Sequence, residues 1–236
     1  MSVELTSELS MSIALTLLPK NKIRKKKYNH QLIYLPFEYN IIICNNLIMK
    51  GSYLKGNIIC ALPQLKDIFF SRSIIYITHH NKDGAVGIVL NYKIMNIKGA
   101  ELFKKLHIQD VKSQVEKEFL FHIGGPLNQN NGFILHSNDY KSEFTLKVSN
   151  KVKLTCSTDI ISDIAKNKGP KKFFISLGYS GWGPGQLEEE IKNNSWINIK
   201  EELDLLFDID SEKKWSKAIK KTGIDFTKFS SFSGNA

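Results

Sequence analysis

The stretch SIIYITHHNKDGAVGIVLN, residues 73–91, narrows the possible folds more than any other part of the chain. Two runs rich in Ile and Val flank Asn-Lys-Asp-Gly, and Asp83-Gly84 is a strong signal for a tight hairpin turn. A chain built on this pair is committed to antiparallel sheet. GNIICAL (56–62) reads as a further β-branched strand. EFLFHIGGP (118–126) and NGFILHS (131–137) read as a strand pair around the turn-rich GGPLNQNNG, and EFTLKV and KVKLTC follow as two more strands. KKFFISLGYS (171–180) has the continuous apolar character of a strand buried on both faces.

Helical spacing is rarer. KGAELFKKLH puts Leu102, Phe103 and Leu106 on one face. Ser157 or Thr158 caps a helix through Ile160, Ile161 and Ile164, which Lys168-Gly169-Pro170 stops. Pro184 suits the first position of a short helix burying Leu187 and Ile191. A last helix runs from Ser211 as cap through Trp215, Ala218 and Ile219 to Gly223. Strands outnumber helices and come mostly in hairpins, so the expected class is α+β, with a single domain over residues 51–236.

Residues 1–50 differ: they carry KNKIRKKK and an apolar run with neither a 2- nor a 3.6-residue period. They read as a basic, disordered extension, with Met49 as the expected start of the functional chain. The formal net charge of +10 contains only two arginines, Arg24 and Arg72, among 33 basic residues. Specific readers of phosphate and guanine favour the arginine fork, and no helix-turn-helix pattern is present. Sequence-specific DNA binding is therefore not expected; any nucleic-acid contact would be weak, unspecific and carried by KIRKKK. Cys44, Cys60 and Cys156 form no CxxC and no even framework, which suits a reducing compartment. No run approaches the roughly 20 apolar residues of a membrane span, so the expectation is a cytoplasmic protein with no membrane association.

The turn LGYSGWGPGQLEEE (177–190) invites a catalytic reading and fails it. A nucleophile elbow needs G-x-S-x-G, and Trp182 stands where the second glycine belongs. A dinucleotide loop fails because Gln186 replaces the third glycine, and no Walker lysine follows. Glu188, Glu189 and Glu190 would repel a phosphate from the helix start. Ser180 is thus expected to be structural, and no catalytic residue is assigned. Among the histidines, strand alternation puts His80 with Tyr76 and Thr78, and His79 with Ile75 and Ile77. His80, His136 and Glu188 are the set from which an acid–base or ligand-binding site would be made. His122, between Phe121 and Ile123, reads as packing. No metal or cofactor is expected.

Taken in order, ALPQLKDIFFSRSIIYITHHNKDGAVGIVLN (61–91), GGPLNQNNGFILHS (124–137), STDII (157–161), LGYSGWGPGQLEEEIKNNSW (177–196), LLFD and the terminal SGNA resemble the AlgH/YqgE family, also called UPF0301 or DUF179. The resemblance covers about Leu54 to Ala236. It implies a bifurcated, mostly antiparallel sheet partly closed into a small barrel and surrounded by helices. It implies little about activity: the family's usual label is transcriptional regulator, without an established reaction, and the leading expectation is a non-enzymatic regulatory protein acting through a protein partner of unknown identity. The alternative is a hydrolase or small-ligand-binding protein using His80, His136 and Glu188. Carried onto this chain, the fold-making motif residues are Gly84, Gly87, Gly124, Gly125, Pro126, Gly178, Trp182, Gly185 and Trp196. The polar ones, His80, Asn81, Asn91, His136, Gln186 and Glu188, make the candidate functional surface. The chain departs from the family pattern at Asn235, where members tend to carry His, and at Lys93, where they read Asn-x-Pro. Members also begin close to the first strand, in keeping with a start at Met49.

Overall fold

The structure, a computed structural model, describes residues 54–109, 111 and 113–223; the basic extension, Met49 and Asn235 lie outside them. The order is β1 (Ile58–Ala61), β2 (Ile74–Asn81), β3 (Gly84–Val89), β4 (Lys93–Lys98), α1 (Gly99–Lys105), β5 (Glu118–Ile123), β6 (Leu127–Ser137), β7 (Thr145–Lys147), β8 (Val152–Thr155), α2 (Asp159–Ala165), β9 (Phe173–Trp182), α3 (Gln186–Lys192), β10 (Trp196–Ile199), a π-helical turn (Asp204–Asp208) and α4 (Ser211–Lys221). This is an α+β fold in which a curled, mostly antiparallel sheet forms a half-barrel. β4 and β10, which no strand pattern in the sequence announced, complete it.

β9 is the strand on which the sheet divides. Its first half pairs in parallel with β5 (Phe121 opposite Ile175, Ile123 opposite Leu177). Its last residues pair antiparallel with β3 (Ala85 opposite Trp182, Gly87 opposite Ser180). β6 follows its other edge, with Ile134 opposite Ile175 and Leu127 opposite Tyr179. The expected pairing of β5 with β6 is therefore corrected: β9 stands between them, because a strand apolar on both faces fills the middle of the sheet. β5 pairs instead with β4.

The fork occurs where three glycines meet. Gly178 has φ +75°, and a Cβ there would lie 2.6 Å from the Leu127 carbonyl oxygen. A Cβ on Gly124 would lie 2.3 Å from the Gly178 oxygen, and one on Gly125 2.0 Å from the Tyr179 carbonyl carbon. Only chains without side chains can cross this closely. Ser180 sits fully buried beside this crossing, its hydroxyl donating to the Gly124 oxygen at 3.3 Å.

Both faces of the β1–β3 ribbon are covered. Ile58, Tyr76 and Ile88 pack with Leu205 and Leu206 of the π turn and Ala218 of α4. Ile59, Ile75 and Ile77 pack on the opposite face with Trp182, Leu187 and Trp196. Burial on both sides explains why these strands read as unbroken apolar runs. A third cluster joins Phe103 of α1, Phe119 of β5, Ile161 of α2 and Ile175.

Candidate functional site

The hairpin and the turn after β9 are brought together. A bulge between Ile77 and His79 shifts the β2–β3 register, so that His79 faces Val86 and His80 faces Ala85. Directly opposed residues share a face, and Ala85 belongs to the Ile75, Ile77 and Trp182 cluster. The alternation expected from sequence is thereby inverted after residue 77: the extra residue swings His80 to the α3 side of the sheet. There its Nε2 lies 3.1 Å from Glu188 Oε1. The Leu54 N–H donates to Nδ1 at 3.2 Å, so the ring proton sits on Nε2 and is given to the carboxylate. Both ring nitrogens of this buried imidazole are engaged.

α3 itself begins after Gly185, in the left-handed region at φ +73°, and not at Pro184. Leu187 is its fully buried anchor, while Ile191 is half-buried. Trp182 and Trp196, both buried, donate their indole N–H groups to the same oxygen, Oε2 of Glu190. Gln186 is exposed, yet its side chain is committed: it accepts from the Gly183 N–H at 3.0 Å and donates to Glu190 Oε1 at 2.9 Å. Glu188 keeps 44% of its side chain exposed. Phe70 extends the corner, its ring centroid 5.8 Å from Trp196 and 6.3 Å from Trp182. Two residues earlier on the same loop, Ile68 stands 78% exposed.

Three of the expected site residues serve the fold elsewhere. Asn91 Oδ1 accepts from the Ile74 N–H and its amide donates to the Arg72 carbonyl, both at 2.9 Å, which holds the entry to β2. Asn81 Oδ1 accepts from the Asp83 N–H at 2.8 Å and so shapes the hairpin turn. His136 is fully buried, donating from Nδ1 to the Ser137 carbonyl and accepting at Nε2 from the Thr155 hydroxyl. It pairs with Phe173 at the start of β9, whereas His80 is two ladder steps from Trp182 at its end. Roughly 30 Å of strand separates those two places. The trio of His80, His136 and Glu188 is thus reduced to a pair, because the two histidines hang on opposite ends of β9.

A second concavity, not legible in the sequence, opens at the start of β9. It measures about 710 Å³ and lies between β5, β9, the π turn and α4. His122 belongs to it as well as to the packing. Its ring stacks on Phe174 at 4.0 Å, Nδ1 donates to the Ile175 carbonyl at 3.1 Å, and Nε2 accepts from the Ser211 hydroxyl at 2.8 Å. Burial pushes this imidazole down to about 4, which leaves it a weak base at neutral pH. Ser211 is the first residue of α4 and not its cap; Asp210 holds that position, and the hydroxyl goes to His122. Among the described residues no cluster of three or more His, Cys, Asp or Glu could hold a metal ion. No helix among them is long and apolar enough to cross a membrane.

A forked half-barrel with a bonded tryptophan corner defines the class: an α+β domain built on a curled, mostly antiparallel sheet. By its sequence the chain belongs to the AlgH-like DUF179 family, whose pattern matches residues 58–227. It is 38% identical to a UPF0301 protein of Pseudoalteromonas translucida over 78% of this chain and 98% of that one. A UPF0301 protein of Saccharophagus degradans is 42% identical over 78% and 89%. The solution structure of AlgH from Pseudomonas aeruginosa superposes with a TM-score of 0.62 at 31% identity, covering 80% of this chain and all of that one. A Corynebacterium diphtheriae protein shares the fold, with a TM-score of 0.57 at 20% identity over 75% and 91%.

Proposed function

We propose that the protein is a cytoplasmic regulatory protein that acts on transcription indirectly, by binding another protein at the corner formed by α3 and the 62–72 loop. The observation that carries this reading is Ile68, a large apolar side chain 78% exposed beside a rigid aromatic box. Phe69 and Phe70 fix the loop from beneath, and Tyr92 donates its hydroxyl to the Phe69 and Ser71 carbonyls. Ile68 is therefore held out on a braced loop and not left to collapse. At the corner that Phe70 reaches through Trp182 and Trp196, α3 exposes Glu188 and Glu189. An apolar anchor with a carboxylate rim suits a partner offering an apolar pocket ringed by lysine or arginine. The buried thiol of Cys60, pushed up to about 12 by desolvation, is an inert packing group in keeping with a reducing compartment.

The test compares proteins retained from native lysate by the wild type, by Ile68→Asp and by Glu189→Lys, whose side chain is exposed, at two salt concentrations. A specific partner should be lost with Ile68→Asp and weakened by the charge reversal, while thermal melts of the variants stay near wild type. An unchanged set of retained proteins would exclude this face.

A further inference from the structure

The groove at the start of β9 contains a buried cation. Lys214 of α4 is 2% exposed and lines the cavity, although lysine is almost never fully buried unless paired. Its ammonium donates to the Leu206 carbonyl at 2.8 Å and stands 4.7 Å over the Phe174 ring. That carbonyl belongs to the π turn, in which the Ile209 N–H reaches back five residues to Asp204. Among the described residues no carboxylate lies within ion-pairing distance of Lys214. Asp208, the acid whose charge acts on it, is held by Lys172 at 2.6 Å. Among the described residues, two of the three ammonium hydrogens thus have no hydrogen-bond acceptor, in a cavity of a size that holds small ligands.

The surroundings have the same sign. Six lysines line the groove against four carboxylates. Of those acids, Asp208 is paired with Lys172, Asp210 is held by Lys213 at 2.9 Å, and Glu118 accepts from the Asn96 amide. Lys93, Lys117 and Lys171 remain at the rim, Lys117 lying 5.1 Å over the Phe173 ring. All these cations are point charges on flexible stems, without the planar fork that matches a carboxylate, and such a set suits a tetrahedral anion. Phe173 and Phe207 add apolar wall for an organic group.

We infer that this groove binds a small organic phosphate, with the Lys214 ammonium as its inner counter-ion, Lys93, Lys117 and Lys171 at its rim, and Phe173 against the organic part. The site lies at the other end of β9 from the α3 corner and does not depend on the partner proposed there. Occupancy has a proton signature. Desolvation holds Lys214 down at about 7, with Asp208 opposing, and the lysines Lys172 and Lys213, the acids Asp210 and Glu212, and neutral His122 complete its charged neighbourhood. A bound dianion restores the charged form, so binding takes up protons near pH 7.5 and weakens as pH rises above that.

Phenyl phosphate titrated calorimetrically into the full chain, in two buffers of different ionisation enthalpy, tests this. The expected result is saturable one-to-one binding with proton uptake. Lys214→Met should weaken it about tenfold or more, as loss of a charge-assisted hydrogen bond does, and abolish the uptake. Lys117→Met should weaken it without touching the uptake, and Lys141→Met, outside the groove, should do neither. Absence of saturable heat, unchanged binding in Lys214→Met, or equal affinity for benzoate would each overturn the assignment.

Discussion

Trp182 and Trp196 share one acceptor: their indole nitrogens lie 2.9 and 2.7 Å from Oε2 of Glu190, and their rings cross at 82° with centroids 6.1 Å apart. One side chain of α3 therefore joins the end of β9 to the start of β10. Glu190→Ala leaves two buried donors without a partner and should cost about 2–4 kcal/mol in urea unfolding. Glu190→Gln, which keeps an acceptor oxygen, should cost less than half of that.

The fork in the sheet predicts opposite fates for neighbouring residues. Ser180→Ala should change stability by no more than about 0.5 kcal/mol, because the Gly124 oxygen it abandons still accepts from the Val89 N–H at 2.8 Å. Gly125→Ala places a methyl carbon 2.0 Å from backbone and should prevent the sheet from closing. Thermal melts followed by circular dichroism separate the two outcomes.

His122 sets an acid limit. Its folded value, about 4, is depressed from 6.5 by burial, so its contribution is complete above the unfolded value and is lost as pH falls. Between pH 6.5 and 4 the unfolded state binds the extra proton, and about 3 kcal/mol of stability should disappear across that window. His122→Gln should flatten this part of the profile. An unchanged slope in the variant would assign the acid loss to other groups.

Lys214 gives the reverse test at higher pH. Its folded value of about 7 lies below the usual 10.5 through desolvation, so the unfolded state holds the extra proton between these values and stability rises with pH there. The gain should be visible from pH 7 to 9, before the raised thiol of Cys60 begins to oppose it. Lys214→Met removes a buried charge and should be neutral to stabilising at pH 7, with a flatter profile. The difference between the two unfolding curves is the quantity to measure.

The strands and their hairpins were legible because β-branched runs and Asp83-Gly84 act locally. The order of pairing was not: nothing local in EFLFHI or NGFILHS shows that β9, some 40 residues further on, comes between them. The bulge at Ile77–His79 was equally hidden, and one extra residue sufficed to move His80 to the other face. The structural role of Asn91 is hidden because a side-chain bond to backbone 17 residues away leaves no periodic trace, while Asn81 bonds the Asp83 N–H within its own hairpin turn. Gln186 and Glu188 fall on α3, but the bonds that hold them, to Glu190 and His80, are made only by the folded corner. A signal for the groove did exist. Lys214 lies three residues after Ser211 and four before Ala218, on the buried stripe of α4, where residue type alone points to the surface.

Because β9 is the strand that pairs with β3, β5 and β6, the ladders joining the β1–β3, β4–β5 and β6–β8 groups cannot close until it has left the ribosome. Most of the domain is by then already synthesised, with the edges of β3, β5 and β6 unpaired and their apolar faces open to water. Chain growth at about 5–20 residues per second leaves those edges waiting for seconds, long on the scale of strand association. A late keystone of this kind prolongs the exposure of unpaired edges during synthesis, which makes damage near the C-terminal third costlier in yield than in the stability of whatever molecules do fold.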